Sequence, residues 1–264
     1  MIRIGLNPIL FQFGPFSLAW HGLFIAVGMV VAVWLSARLA AKAGLSVEII
    51  YSLALWGIPG GIIGARLVHV IDYWDFYLAH PGSILALWGG GLAVWGGILG
   101  GAVTGVIYLW IKGIPSGVYA DVIAPGLILA QAIGRIGDVI NGEHISSATT
   151  LPWGVVYTHP GSPSYGLPPT HPAVAYELLM NLVIFGLLLK LRGRIQPGGS
   201  LFLLYLILYS TGRFFLNFLR MDSNTLFLSL AQPQWISLLV LVVAVPLFVF
   251  RKLSHRSVGT EANS

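Results

Sequence analysis

The sequence predicts an all-α protein: a polytopic transmembrane helical bundle of about seven spans, with its N-terminus outside and its C-terminus in the cytoplasm. Three observations predict it. Hydrophobic residues make up 56% of the 264-residue chain and charged ones 9%, whereas a soluble domain carries about a quarter charged residues. The apolar residues gather into stretches that approach the roughly 20 residues needed to cross hydrocarbon. Most lysines and arginines fall in alternate gaps between those stretches, on what would be one side of a bilayer.

Taken in order, the first ten residues are too short to cross and carry no small-residue cleavage site, so they are expected to form an outer-face arm with no removable signal peptide. Spans then follow near 17–41, 49–72, 84–111, 119–141, 172–191, 199–219 and 234–250. Arg38 and Lys42 follow the first span, Lys112 the third, and Lys190, Arg192 and Arg194 the fifth. Arg251, Lys252 and Arg256 follow the seventh. Placing these four groups in the cytoplasm satisfies the positive-inside rule. The segment 144–170, rich in Pro, Gly, Ser and Thr, then becomes a long outer loop. Span three begins LWGGGLAVWGGILGG, a run expected to pack tightly against another helix, with a broken helix or room for a bulky ligand as alternatives. Trp74, Trp88 and Trp95 near these ends fit interfacial belts. One transmembrane domain over 1–256, followed by a short polar cytoplasmic tail at 257–264, accounts for the chain.

Composition also narrows the chemistry. With no cysteine, disulfides, thiolate metal sites and a thiol nucleophile of the chain's own are excluded. The histidines lack metal-ligand spacing, so neither a metal nor a cofactor is expected. The pI near 9.6 is accounted for by basic loops beside a membrane, and no nucleic-acid partner is expected.

Four arginines at the spans themselves escape this sorting. Arg66, Arg135, Arg213 and Arg220 sit late in spans two, four and six, the spans that run outward, and so share a depth toward the outer leaflet. A charge at the bilayer centre costs about 2.5–3.5 kcal/mol on insertion scales. One arginine could snorkel or pair with a carboxylate. Four together point to a buried anion, and a guanidinium fork fits phosphate. In span four Gln131, Arg135, Asp138 and Gly142 form a stripe at i, i+4, i+7, i+11. In span six Arg213, Asn217 and Arg220 share a face. Span five opens THPAVAYE, where His171 serves either as a helix-start cap or as a functional group. Glu177 in that stretch is expected to partner an arginine. An enzyme acting on lipid, an anion or lipid transporter, and a non-catalytic lipid-binding protein all remain open, although the two related halves frequent in transporters are not evident.

The stretch GRIGDVINGE at 134–143 resembles the signature of the bacterial prolipoprotein diacylglyceryl transferase family. Supporting stretches occur in the same order: AWHGL at 19–23, GARLVHVIDYW at 64–74, GGGLAVWGGILGG at 89–101, HPAVAYELL at 171–179 and GRFFLNFLR at 212–220. The likeness runs from about Pro15 to Lys252. It implies a multi-pass enzyme of the bacterial cytoplasmic membrane. Such an enzyme moves a diacylglyceryl group from phosphatidylglycerol to the lipobox cysteine thiol of a prolipoprotein and releases glycerol 1-phosphate. The resemblance makes Arg135 and Arg213 the essential arginines and places the signature asparagine and glutamate at Asn141 and Glu143. Arg135 and Arg213 would hold the phosphodiester and its departing charge, with Arg66 or Arg220 in support. His21, Asp138, Asn141 and Gly142 would line the same site. Glu143, His171 and His21, in that order, are the candidate bases for the thiol. The chain departs from the family pattern at Trp95, where many members carry a histidine proposed as base. It departs again at His21 in place of a tyrosine, at Asn217 in place of an acid and at Asp138 in place of a frequent asparagine.

Overall fold

The computed structural model describes residues 1–14, 16–86, 90–222, 225 and 227–261, so Trp88 and the end of the expected tail at 262–264 lie outside the described residues. Three short strands come first: β1 (Ile2–Ile4), β2 (Ile9–Phe13) and β3 (Phe16–Ala19). Helices α1 (Trp20–Lys42), α2 (Val47–Asp72) and the short α3 (Trp74–Ala79) follow, then a 3-10 turn at Pro81–Leu85. Beyond it come α4 (Val94–Ile111), α5 (Ser116–Asn141), β4 (Val155–Tyr157), α6 (Ala173–Leu191), α7 (Ser200–Leu216) and α8 (Gln232–Glu261). Among the described residues seven helices are long and apolar enough to cross a membrane: α1, α2, α4, α5, α6, α7 with its 3-10 extension to Leu219, and α8. The all-α, multi-pass class expected from hydropathy is the class observed.

The boundaries differ in informative places. Span one begins at Trp20, because 16–19 pairs antiparallel with β2 instead of joining the helix. Span three begins at Val94, ten residues later than its hydropathy suggests. Gly90 and Gly91 there adopt φ of +83° and +79°, a left-handed region that turns the chain and is open mainly to glycine. The seventh helix runs past its apolar stretch to Glu261. The expected arm is tied down by a parallel pairing of β1 with β4, Ile2 opposite Val155.

Contacts divide the chain into two compact units, Ala37–Tyr119 and a larger one of Met1–Ser36 with Ala120–Ser264. In the smaller unit α2 and α4 pack through glycines. A Cβ added at Gly64 would collide with the Gly96 carbonyl and reach within 2.9 Å of Gly100 Cα. The tight-packing reading of span three therefore holds for its second half: without lipid-driven hydrophobic attraction, helices gain by bringing backbones together.

In the larger unit Ala124 and Ile128 of α5, Ile184 and Leu188 of α6, and Leu201 and Tyr205 of α7 form a buried core. Asp121 of α5 fixes the start of α7 by accepting the backbone N–H groups of Gly199 at 2.7 Å and Phe202 at 2.8 Å, donors that a helix start leaves without partners. Toward the other end of α5, Gly137 lies against the start of α1, where a Cβ would come within 2.7 Å of His21 Cα. That close approach brings His21 beside the polar stripe of α5.

Candidate active site

Glu177 organises the polar interior of the larger unit. Its residue is 1% exposed. Arg135 Nη2 of α5 donates to its Oε1 at 2.8 Å, and Arg213 Nη1 of α7 donates to its Oε2 at 2.7 Å. Tyr209, one turn before Arg213, donates to Oε1 at 3.2 Å. Arg220 Nη1 lies 4.0 Å from Oε2. An isolated buried carboxylate or guanidinium would be strongly disfavoured, and each makes the other tolerable here. The placement follows from the helices: Arg135 and Asp138 share a face of α5, as do Tyr209 and Arg213 on α7.

The network extends on either side. Arg135 Nη1 donates to Asp138 Oδ2 at 2.6 Å, and the other Asp138 oxygen is bound by His21 Nδ1. His144 Nε2 faces Asp138 Oδ2 at 3.9 Å, while its Nδ1 is 2.9 Å from Asp222 Oδ2. Arg220 closes on Asp222 with two bonds, Nε at 3.0 Å and Nη2 at 2.7 Å. Burial alone would raise the Asp222 carboxyl, but the bonds from His144 and Arg220 outweigh it and hold it well below the usual carboxylate range. Burial, with the nearby Asp138 charge, pushes the Tyr157 hydroxyl up to about 12, so it stays a neutral donor, bonded to the Val139 carbonyl at 2.7 Å.

Not every polar atom in and around this network is hydrogen-bonded among the described residues. Of Arg213's N–H groups only Nη1 is bonded among the described residues. Arg220 Nη1, both amide atoms of Asn181 and the Oδ1 of Asn217 are buried without a hydrogen bond. Buried polar groups are rarely left so unless another molecule completes them.

The signature stretch ends as a helix cap. The stripe that sequence spacing carries to Gly142 stops one residue earlier, since α5 ends at Asn141 and Gly142 turns at φ +75°. The amides of Gly142 and Glu143 both return to the Asp138 carbonyl, a 5→1 bond of the αL cap together with the 6→1 bond of the Schellman motif, an ending that favours glycine. A Cβ at Gly142 would also come within 2.8 Å of the Tyr157 ring. Ser162 Oγ and Ser164 Oγ clasp the carbonyls of Asn141 and Gly142 at 2.8 and 2.7 Å. Asn141 Nδ2 reaches Glu143 Oε1 at 3.3 Å. Glu143, His144 and His171 line one cavity of about 290 Å³ with Ile4, Trp153 and Tyr176. His171 does not cap α6, whose N-cap is Pro172 without a side-chain bond; its Nδ1 is buried and makes no hydrogen bond among the described residues.

Arg66 has a different surrounding. In the smaller unit its Nε bonds to the Ile84 carbonyl, Nη1 to those of Gly90 and Gly91, and Nη2 to those of Ser83 and Ala86, at 2.5–3.1 Å. A guanidinium has five N–H donors, and all are engaged. The sequence reading grouped Arg66 with anion-binding arginines; its partners here are backbone carbonyls of Ser83, Ile84, Ala86, Gly90 and Gly91. Trp95 lies in the first turn of α4 in the same unit.

Sequence reasoning missed His144, Asp222 and Tyr209. Tyr209 was within reach, one turn before Arg213. Asp222 was too, as one of nine acidic residues standing two places after an unexplained arginine. His144 sits at φ +67°, unusual for a residue with a side chain, and nothing in the sequence marks that.

A family model described as prolipoprotein diacylglyceryl transferase matches residues 8–250. A protein of Bacillus velezensis named phosphatidylglycerol–prolipoprotein diacylglyceryl transferase is 37% identical over 256 residues, covering 94% of this chain and 93% of its own. Proteins of the same name from Bacillus licheniformis and Dehalococcoides mccartyi are 37% and 35% identical, covering 96% and 97% of this chain and 95% and 98% of theirs.

Proposed function

The chain belongs to the prolipoprotein diacylglyceryl transferase family, and from that premise we propose that it moves a diacylglyceryl group from phosphatidylglycerol to the lipobox cysteine thiol of prolipoproteins, releasing glycerol 1-phosphate. The observation that carries this reading is the paired setting of Arg135 and Arg213. One buried carboxylate holds both side chains, yet most donors of Arg213 and the Nη1 of Arg220 make no hydrogen bond among the described residues. Donors fixed in place and left over suit a phosphodiester whose charge grows as it departs.

In this reading the acceptor thiolate attacks the glyceryl carbon that carries the phosphate ester. The carbon–oxygen bond breaks, and its electron pair leaves on glycerol 1-phosphate. Arg135 and Arg213 hold that charge, Arg220 supports them, and Glu177 keeps the guanidinium groups from repelling one another. Asp138, Asn141 and Gly142 shape the head-group pocket beside them. Glu143 and His171 line the adjoining cavity, on the side from which the peptide would approach. The engaged donors of Arg66 suit a role in holding the backbone at 83–86 and at 90–91. The two acyl chains remain in lipid.

The distribution of Lys and Arg supports an N-terminus outside and a C-terminus in the cytoplasm, which puts 144–170 on the outer face of a bacterial cytoplasmic membrane. Residues 1–256 then form one transferase domain. The test is incubation of the purified chain with phosphatidylglycerol vesicles and a lipobox peptide. A thioether-linked diacylglyceryl peptide is expected. Lipid moved between leaflets with the peptide unmodified would establish a transporter instead, and lipid bound without either outcome a non-catalytic relative.

A further inference from the structure

We propose that His21, oriented by Asp138, is the base that takes the proton from the acceptor thiol. The inference rests on the transfer reaction above and adds the group that activates its nucleophile.

His21 Nδ1 meets Asp138 Oδ1 directly. The Asp138 side chain is 3% exposed and held from its other oxygen by Arg135 at 2.6 Å, whereas the His21 side chain is 43% exposed. A buried carboxylate on one ring nitrogen fixes the tautomer: Nδ1 carries the proton and donates it, and Nε2 keeps its lone pair. No hydrogen bond engages Nε2 among the described residues. A fixed acid, an oriented imidazole and an accessible nitrogen are the parts that nucleophile activation needs.

The other candidates lack one part each. Among the described residues Glu143 receives only the Asn141 amide, at 3.3 Å. His171 Nδ1 is buried and has no hydrogen-bond partner among the described residues to orient it. His144 turns both nitrogens toward carboxylates, Asp222 and Asp138, and so presents no lone pair to a thiol.

The step balances. The thiol proton moves to Nε2, giving an imidazolium whose Nδ1–H stays on Asp138. The sulfur electron pair forms the S–C bond as the C–O bond breaks, and the Nε2 proton then passes to the departing glycerol 1-phosphate. The charged groups facing His21 are Asp138 and Arg135 of α5 and Glu143 just past its end; His144 reaches it only through Asp138.

A thiol with pKa about 8.5 is roughly 3% thiolate at pH 7, so full ionisation raises the rate by about thirtyfold at most. The test is His21→Gln, whose amide can still donate to Asp138 but cannot carry the proton away. With phosphatidylglycerol and a lipobox peptide, we expect a loss of about ten- to thirtyfold at pH 7 that shrinks to about twofold or less by pH 9.5, where the thiol ionises unaided. Parent-like transfer at pH 7, or a partial loss that persists unchanged to pH 9.5, overturns the proposal; the latter would make His21 a positioning residue. Should His21→Gln be inactive at every pH, His21→Gly with added imidazole decides: recovery at pH 7 supports the base, and no recovery overturns it. The parent chain runs in the same assay. If it transfers nothing, the transferase reading fails; if it transfers and the variants behave as the overturning results describe, only the base assignment does.

Discussion

Replacing Glu177 by Gln removes one negative charge from the centre of three arginines and changes the shape very little. At an effective dielectric near 20, a pair at about 2.8 Å carries about 6 kcal/mol of gross attraction, and Glu177 makes two, to Arg135 at 2.8 Å and Arg213 at 2.7 Å. Desolvation offsets much of that, and breaking a buried pair on one side typically costs about 3–5 kcal/mol. The loss is not shared evenly. Arg135 retains Asp138 and Arg220 retains Asp222. Arg213 loses the one ion pair it makes among the described residues. We therefore expect the apparent melting midpoint in detergent to fall by on the order of 10 °C. Phosphatidylglycerol should restore more of the loss in the variant than it adds to the parent, because its phosphate supplies the missing charge. Removing Arg213 as well, as Glu177→Gln with Arg213→Leu, should recover part of the stability, since no unpaired cation remains. Tryptophan fluorescence during a thermal ramp reads all three chains. A Glu177→Gln midpoint within about 2 °C of the parent would refute the reasoning, for a charge defect of about 3 kcal/mol cannot be that silent.

Three further outcomes follow from the same geometry. Arg135→Lys and Arg213→Lys should each lower transfer at least tenfold, because a point charge cannot reproduce a planar fork that holds Glu177 and an incoming phosphate together; near-normal rates in both variants would remove the arginines from the mechanism. Trp95→His should be tolerated without a large gain, and a large gain in peptide transfer would show that the base belongs at that position. Cysteines introduced at Lys112 and at Tyr165, both exposed, should react oppositely with an impermeant reagent added outside. Labelling at Tyr165 alone is expected, and labelling at Lys112 alone would invert the topology.

Hydropathy made the helical class legible because crossing hydrocarbon demands length and apolarity, which sequence shows directly. It could not show the strands of the arm: β1 is three residues long, and its partner lies about 150 residues away, so nothing local marks the pairing. Span three misled for a related reason. Its glycines are apolar enough to count toward a helix, yet Gly90 and Gly91 turn the chain while Gly96 and Gly100 serve close packing. Depth grouped the four arginines, and three of them do surround Glu177. Arg66 escaped because its acceptors are backbone carbonyls, which no residue type advertises. His144 and Asp222 meet only because the chain after α7 returns to the end of α5, where Ser146 and Arg220 form an isolated bridge. Side-chain periodicity within one helix carries no information about that return.

The central claim is that one chemical event links the lipid phosphate at Arg135 and Arg213 to the peptide thiol. Its most direct measurement is the stoichiometry of products from phosphatidylglycerol labelled in the head-group glycerol, with the parent and Arg135→Ala compared. One labelled glycerol 1-phosphate should be released for each diacylglyceryl thioether formed by the parent, and neither product should form with Arg135→Ala. Head-group release without peptide modification, or thioether formation that survives Arg135→Ala, would contradict it.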